Sequence, residues 1–245
     1  MLDKSRGSSA TSADGWELAM PAKNPTIDLF SGLPHRFSAH LFAKAKPVHL
    51  VAGQVLFVTD DLGDGCYRIE KGLLKVSIVS ESGVERILAI LGPGAIVGEL
   101  AMLDGLPRSA SVVTLRDSDL LFVSKVKFDD YANKHPELYQ HLLMLLASRL
   151  RETNDVIAAE SFLPLRGRVA VMLLDLAEHF GESVGGDRIL IRQKFRQPDL
   201  AAMAGIAREN LNRILADWKR RNLVSRISGY YCLESKSALE REVRL

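Results

Sequence analysis

One stretch of the chain, 97–113, combines side chains that could bind a sugar phosphate. It reads V-G-E-L-A-M-L-D-G-L-P-R-S-A-S-V-V, with apolar runs on both sides of Glu99, Arg108 and Ser109. A carboxylate accepts hydrogen bonds from a sugar hydroxyl, whereas a guanidinium beside backbone N–H groups suits a phosphate. A small residue at Gly98 would let the backbone itself approach the ligand. The stretch therefore predicts a small sugar-phosphate pocket.

A second stretch, 197–215, has the pattern of a helix-turn-helix. It reads Q-P-D-L-A-A-M-A-G-I-A-R-E-N-L-N-R-I-L, in which two short helical segments flank Gly205. In the major groove an arginine binds guanine and a glutamate accepts from cytosine, so the second helix predicts a DNA reader. An ordinary helical hairpin with a solvated charged face is the alternative. The polar residues that this helix would expose are Arg208, Glu209, Asn212 and Arg213.

Charge is distributed unevenly along the 245 residues. Residues 162–245 hold 15 basic and 10 acidic side chains, whereas residues 1–161 hold 17 basic and 20 acidic ones. A basic C-terminal unit beside an acidic N-terminal one favours a polyanionic partner for the basic unit. A solvated basic surface is the alternative on charge alone.

Composition narrows the class of protein. Hydrophobic content of 47% and charged content of 25% are ordinary for a globular protein. Two distant cysteines, Cys66 and Cys232, give neither a disulfide framework nor a C-x-x-C metal spacing, which fits a reducing cytoplasm. No apolar run approaches the roughly 18 residues of a membrane span, and residues 1–14 lack the apolar core of a secretory signal. We therefore expect a cytoplasmic protein without a membrane partner or a metal.

The elements that must position the pocket are predicted to be short strands. Residues 1–26 are polar and aperiodic, which predicts a disordered arm, and Ile27 to Phe42 has a largely helical pattern that Pro34 divides. From Lys46 to Val126, runs rich in β-branched residues recur at intervals of about 8–12 residues, which is typical of an antiparallel barrel or sandwich. These runs are Pro47–Val51, Gln54–Val58, Cys66–Glu70, Leu73–Val79, Arg86–Leu91, Ser111–Leu115 and Asp119–Val123.

A long helix is predicted after Pro136. Its seam residues recur at alternating spacings of four and three, which is typical of a coiled coil, so we expect a parallel homodimer. Leu142, Leu145 and Val156 lie off the seam and could pack on the barrel, and a single core-facing stripe on a monomer is the alternative. The seam residues are Tyr139, Leu143, Leu146, Leu150, Thr153, Ile157 and Glu160.

The C-terminal unit is predicted to begin at Pro164, which is placed to start a new helix. That helix ends at Gly181, and a short strand at Ile189–Ile191 precedes the helix-turn-helix. Residues 223–228 and 230–233 then form a hairpin about Gly229. A β-hairpin wing beside two short helices in a basic unit favours DNA binding.

Three separated motifs together resemble the Crp/Fnr family of bacterial transcription regulators, and in detail its cyclic-AMP receptor branch. They are G-E-L…P-R-S-A (98–110), R-L-x-x-T-N (149–154) and R-E-x-x-x-R (208–213). The resemblance covers about residues 27–240. It implies an α+β fold with an N-terminal antiparallel β-roll that binds cyclic nucleotide, a long dimerisation helix and a C-terminal winged helix-turn-helix. Together with the arm predicted from composition (1–26), the divisions of the chain are the β-roll (27–135), the dimerisation helix (136–161) and the DNA-binding domain (162–245).

The resemblance also implies roles for individual residues. Glu99 would hold the ribose 2′-hydroxyl, Arg108 and Ser109 would hold the cyclic phosphate, and Thr153 would reach the purine edge. Asn154 stands where the family has a serine that reaches the nucleotide from the opposite subunit. The implied nucleotide-binding residues are Gly98, Glu99, Leu100, Arg108, Ser109, Ala110, Thr153 and Asn154.

The same resemblance assigns Arg208, Glu209 and Arg213 to a TGTGA-like half-site and implies RNA polymerase as a partner. Arg196 and Gln197 stand where contacts to DNA phosphates would be expected. Ala207 replaces the usual serine or threonine cap, which costs roughly 1 kcal/mol of helix stability.

The ligand and its role leave alternatives open. Asn154 offers both a donor and an acceptor, and with Ser109 it could satisfy guanine, so cyclic GMP stands beside cyclic AMP. A Crp/Fnr-type regulator that binds DNA without nucleotide, or that senses another small ligand, is the alternative function. An enzyme with a regulatory nucleotide domain is disfavoured, because only 84 residues follow residue 161 and no catalytic constellation is present.

Overall fold

The computed structural model describes residues 27–28, 35–43 and 45–243, and the predicted disordered arm lies outside them. The N-terminal elements that it describes come in the following chain order. They are β1 (Ile27–Asp28), α1 (His35–Phe42), β2 (Lys46–Leu50), β3 (Val55–Phe57), β4 (Gly65–Val79), β5 (Glu85–Leu91), β6 (Ile96–Val97), α2 (Glu99–Asp104), β7 (Ser111–Ser124) and α3 (Lys125–Ala132).

The second half of the chain is mainly helical. A long helix leads into a smaller unit of helices and short strands. The elements are α4 (Glu137–Phe162), α5 (Leu165–Phe180), β8 (Gly181–Ser183), β9 (Ile189–Ile191), α6 (Gln197–Ala204), α7 (Arg208–Arg220), β10 (Val224–Ile227), β11 (Tyr230–Leu233) and α8 (Lys236–Glu242).

The N-terminal unit is a seven-stranded sheet in which nearly all pairs are antiparallel. Its order is β1-β5-β4-β7-β2, with β3 paired to β7 and β6 paired to β4. β4 and β7 are long strands, each of which the sequence pattern divides into two runs. Register shifts between Ile69 and Leu74 keep the β4–β7 pairing continuous past Gly72, whose φ is 100°. The predicted antiparallel β unit is confirmed.

The first described strand differs from the prediction. The sequence pattern predicts helix from Ile27, but β1 pairs in parallel with β5 and places Ile27 beside Ile90. α1 begins only at His35. The edge of β5 offers unpaired backbone groups, and pairing with them outweighs the weak helix preference of a short segment.

A short helix interrupts the sheet between β6 and β7. α2 begins directly after Gly98 and ends before Gly105, and both glycines have positive φ, at 83° and 73°. Left-handed backbone at both ends turns the chain sharply, which glycine tolerates best. The turn at Gly98 buries the side chain of Glu99, the first residue of α2.

The long helix α4 packs one side against the sheet unit. Leu138, Leu142 and Leu145 are buried. The sequence pattern places Leu142 and Leu145 off the seam, where they could pack on the barrel. The opposite side is apolar and exposed in the single chain. Its exposed residues are Tyr139, Leu143, Met144, Leu150, Ile157 and Phe162.

The C-terminal unit has the predicted helix-turn-helix and hairpin. α6 and α7 are joined at Gly205, which has a left-handed backbone, and β10 pairs with β11 around Ser228 and Gly229. β8 and β9 extend this hairpin into a four-stranded sheet. The sequence pattern predicts β9 but names no strand at β8.

One hydrophobic cluster joins the two units. Leu73, Ile87 and Ile90 of the N-terminal sheet pack in the same cluster as Leu200 and Met203 of α6. The helix-turn-helix therefore lies directly against β5.

Candidate functional site

A cavity of about 320 Å³ lies between the N-terminal sheet and α4. Its size is at the small end of the range of ligand pockets, which is roughly 300–1,000 Å³. Seven of the eight predicted nucleotide-binding residues line it, and Asn154 does not. The seven are Gly98, Glu99, Leu100, Arg108, Ser109, Ala110 and Thr153.

Arg108 lines the cavity and is held in place by several contacts. Its side chain is buried, and Nη1 donates hydrogen bonds to the carbonyl oxygens of Gly65 and Gly98 at 2.9 and 2.6 Å. The guanidinium carbon lies 4.3 Å from the centre of the Phe57 ring, a cation–π distance. Nη2 is 3.5 Å from Asp64, and Nε is buried without a hydrogen-bond partner in the described chain. A fixed cation with an unused donor suits an anion such as phosphate.

Gly98 makes this position of Arg108 possible. A Cβ atom added at Gly98 would lie 2.5 Å from Arg108 Nη1, which no side chain tolerates without displacing the guanidinium. The glycine also has the positive φ that starts α2. In the structure a small residue at Gly98 leaves room for Arg108, whereas the sequence-based prediction is that it lets the backbone approach a ligand.

Glu99 lines the cavity with only 2% of its surface exposed. Arg149 of α4 forms an ion pair with its Oε1 atom and also donates to the carbonyl oxygen of Ile96 at 2.8 Å. The other oxygen, Oε2, is buried without a hydrogen-bond partner among the described residues. A buried acceptor without a partner costs free energy, so Oε2 is well placed to accept from a ligand hydroxyl.

The α4 side of the cavity is less enclosed. Thr153 is exposed in the single chain, and its hydroxyl donates to the carbonyl oxygen of Arg149 at 2.9 Å, which leaves the oxygen free to accept. Asn154, the next residue, is exposed and lies outside the cavity. Successive helix residues point about 100° apart, so the two side chains face different directions.

Three charged residues of the cavity are absent from the sequence-based set. Arg86 of β5 and Arg149 and Glu152 of α4 line it, but no local spacing points to Arg86. Arg149 belongs to the quoted motif R-L-x-x-T-N and precedes Thr153 by one helical turn. That spacing is the signal that could have identified it.

Cys66 is a buried residue of β4 and carries a free thiol. Burial, and then the charge of Glu99, raise the pKa of its thiol to about 12. Cys232, in β11, is also buried and unpaired, and burial likewise raises the pKa of its thiol. Both thiols therefore stay protonated near neutral pH.

The predicted DNA-binding residues lie on and beside α7. Arg208, Glu209 and Arg213 are exposed, and Arg213 donates to Asn210. Asn212 is half-buried, and its Oδ1 has no hydrogen-bond partner among the residues described. Ala207 precedes α7 without a side-chain cap, as expected from the sequence.

The two remaining candidates lie at the start of α6. Arg196 is exposed and donates to both carboxylate oxygens of Asp199, at 2.9 and 3.1 Å. Gln197 is half-buried. The charge of Arg196 is therefore partly satisfied within the chain, which weakens it as a phosphate contact.

Membrane spans and metal clusters are both absent from the part of the chain that the structure describes. No helix among residues 27–28, 35–43 and 45–243 is long and apolar enough to cross a membrane. Within the same ranges, no group of three or more His, Cys, Asp or Glu side chains is arranged to hold a metal ion.

Comparison with known families gives two matches. The cyclic nucleotide-binding domain family matches residues 47–135, and the Crp-like helix-turn-helix domain family matches residues 167–242. The first match contains the cavity-lining residues that precede α4, and the second match contains α6 and α7.

Individual relatives cover most of the chain. A CRP-like cAMP-activated global transcriptional regulator from Mycobacterium tuberculosis is 33% identical over 211 residues, which span 86% of this chain and 91% of the relative. The cyclic AMP receptor protein of Thermus thermophilus is 34% identical over 73% of this chain and 76% of its own length. The solved structure of a CRP/FNR-family transcriptional regulator, also from Thermus thermophilus, is 25% identical, with a TM-score of 0.68 over 82% of this chain and 99% of that one.

Proposed function

Because the chain belongs to the Crp/Fnr family of transcription regulators, we propose that it is a homodimeric regulator that responds to a cyclic nucleotide. The nucleotide binds in the cavity and stabilises the arrangement in which the two recognition helices α7 contact a TGTGA-like palindrome. The corresponding divisions of the chain are residues 27–135, 136–161 and 162–245.

One observation carries the ligand assignment. The cavity brings a buried carboxylate with an unpaired oxygen, Glu99, to the same space as a fixed guanidinium, Arg108. A cyclic nucleotide presents a ribose hydroxyl and a phosphate on the same ring system, which matches an acceptor and a cation. Ser109 adds a hydroxyl at the phosphate end.

The identity of the base is proposed from the named relatives and from Thr153. Two relatives are named as responding to or receiving cyclic AMP, and Thr153 supplies an acceptor that suits the amino group of adenine. We therefore propose cyclic AMP as the first ligand to test and cyclic GMP as the second. Asn154 is exposed on α4, from which a side chain could reach a nucleotide in an opposite subunit.

The homodimer is supported by the exposed apolar side of α4. Leu143, Leu150 and Ile157 are 66, 63 and 56% exposed, and they repeat at intervals of seven residues. Contiguous exposed apolar residues on one helix side are typical of a partner surface, and a seven-residue repeat favours a second copy of the same helix.

DNA recognition is supported by Arg208, Glu209 and Arg213, which are all exposed on α7. A dimer would present two such helices to successive major grooves about 34 Å apart, which is the geometry typical of dimeric helix-turn-helix regulators. We propose RNA polymerase as a further partner and the cytoplasm as the location, since a DNA-binding regulator acts where the chromosome lies.

Isothermal titration calorimetry of the purified chain tests this function. We expect heat from cyclic AMP or cyclic GMP and, with the bound nucleotide, tighter binding of a duplex that carries two TGTGA half-sites. Binding of 5′-AMP serves as the control, because it lacks the cyclic phosphate. DNA binding without heat from either cyclic nucleotide would instead favour a regulator that works without them.

A further inference from the structure

A single arginine connects the cavity to the DNA-binding unit. Arg86 lies near the start of β5 and lines the cavity, yet its guanidinium reaches the C-terminal end of α6. Nη1 donates to the carbonyl oxygens of Ala202 and Met203 at 3.0 and 2.9 Å. Nη2 forms an ion pair with Glu160 of α4 at 2.6 Å. Three elements, β5, α4 and α6, therefore meet at this side chain.

The end of α6 is suited to receive a cation. The last carbonyl groups of a helix have no partner within it, and they carry a partial negative charge. Gly205 closes α6 with a left-handed turn, and a Cβ atom there would lie 2.5 Å from both Arg86 Nη1 and Glu160 Oε1. The glycine thus leaves room for the ion pair directly beneath the turn of the helix-turn-helix.

A second basic residue holds the other end of the same helix. Lys75 of β4 has 8% of its side chain exposed and contacts Glu85 at 2.7 Å and Asp199, in the first turn of α6, at 3.6 Å. Ile87 and Ile90 of β5 belong to the same hydrophobic cluster as Leu200 and Met203 of α6. We call Lys75, Arg86 and Glu160 together the α6 clamp.

The clamp is continuous with the nucleotide-facing side of α4. Thr153 and Val156 line the cavity, and Glu160 follows Val156 by four residues on the same side of the helix. A ligand that changes the distance between β5 and α4 must therefore change the geometry of the Arg86–Glu160 pair. That pair in turn fixes the end of α6 that leads directly into α7.

We propose that Arg86 is a positioning residue that holds α6 against β5 and transmits occupancy of the cavity to the recognition helix. The proposal rests on the proposed function for the ligand and the DNA, but the groups that Arg86 contacts, Glu160 and the end of α6, do not line the cavity. Removal of the clamp is expected to separate nucleotide binding from DNA binding, because a ligand shifts an equilibrium only through contacts that differ between its states.

The test compares Arg86→Ala and Glu160→Gln with Arg116→Ala in the full chain. Arg116 is an exposed arginine of β7 outside the clamp, and Glu160→Gln removes the ion pair while it keeps the side-chain shape. Fluorescence anisotropy measures the affinity of each variant for a TGTGA duplex, both without nucleotide and with saturating cyclic AMP. At saturation every variant carries bound nucleotide, so the measured DNA affinity does not depend on how tightly the variant binds cyclic AMP.

The coupling is the ratio of the DNA affinities with and without cyclic AMP, and between two sites it typically amounts to about 5- to 150-fold. We expect this ratio to fall below ~2-fold in Arg86→Ala and Glu160→Gln. Arg116→Ala should keep the wild-type ratio. Clamp variants with the wild-type ratio would overturn the proposal.

Hydrogen exchange of the α6 amides in the nucleotide-free chain separates this proposal from the proposed function. We expect about tenfold faster exchange in Arg86→Ala than in Arg116→Ala, because a charge-assisted contact to the helix end is lost. A wild-type chain without any nucleotide response would refute the proposed function. The exchange rates alone would then decide whether Arg86 positions α6. Equal exchange in the two variants overturns the positioning role, and faster exchange supports it.

Discussion

At the scale of single residues, the cavity contains polar atoms that the chain itself does not satisfy. Glu99 Oε2 and Arg108 Nε are buried without hydrogen-bond partners in the described chain, although their neighbouring atoms are well paired. Folded proteins rarely leave such atoms unpaired, because each costs roughly 1–3 kcal/mol. A ligand that supplies one hydroxyl donor and one anionic acceptor would recover this free energy on binding.

Arg108→Ala should weaken cyclic-nucleotide binding by at least about tenfold, because a charge-assisted contact contributes about 1.5–3 kcal/mol. Nucleotide-dependent DNA binding should be lost in a gel shift. Arg108→Lys keeps the positive charge but not the fork geometry, so it should restore only part of the affinity. Arg116→Ala controls for the loss of an arginine from the sheet unit. A retained nucleotide response in Arg108→Ala would contradict the pocket assignment.

At the scale of elements, α4 has three different sides. Leu142 and Leu145 are buried, Arg149 and Thr153 line the cavity, and Leu150 is exposed beside them. One rigid helix therefore carries the ligand side and the proposed partner side within a few residues. Any rotation of α4 in response to ligand would move both sides together.

Leu150→Glu tests the partner side of this helix. The side chain is 63% exposed in the single chain, so the substitution should change the stability of the folded protomer by no more than about 0.5 kcal/mol. Charge in a dimer seam is costly, so sedimentation equilibrium should show a shift from dimer to monomer. Leu106→Glu is the matched control, since Leu106 is equally exposed but lies outside α4. A dimer that survives Leu150→Glu would place the interface elsewhere.

Arg208→Ala tests the second element, the recognition helix α7. Its side chain is exposed and available for a base edge, so its loss should cost about 1–3 kcal/mol at the cognate site and relax the preference there. Affinities for single-base variants of the half-site measure this preference. Lys219→Ala, at the other end of α7, serves as the control for lost charge. An unchanged preference among the variants would show that α7 docks differently.

Sequence patterns predict those elements whose residues are neighbours along the chain. The strand runs, the helix-turn-helix around Gly205 and the Glu99–Arg108 stretch depend on local periodicity or on short motifs, and all are present. The strand at Ile27 and the position of Arg86 between the cavity and α6 depend on how distant segments approach one another. No local spacing encodes such an approach, so these two features could not be predicted from the sequence pattern.

At the scale of the whole molecule, the two units are not independent. A single hydrophobic cluster contains residues of β4 and β5 together with α5, α6 and α7. Lys75 and Arg86 make charged contacts at the two ends of α6, which belongs to this cluster. The orientation of the DNA-binding unit is therefore determined by the same strands that form one wall of the cavity.

The two buried cysteines have a practical consequence for studying this coupling. Cys66 lies in the N-terminal sheet and Cys232 in the C-terminal sheet, so each unit contains one buried free thiol. A buried thiol reacts with a labelling reagent only after its surroundings open, and the reaction rate then measures the free energy of that opening. Mass spectrometry resolves the two labelled peptides. The unaltered chain thus carries a separate chemical reporter of local opening in each of its units.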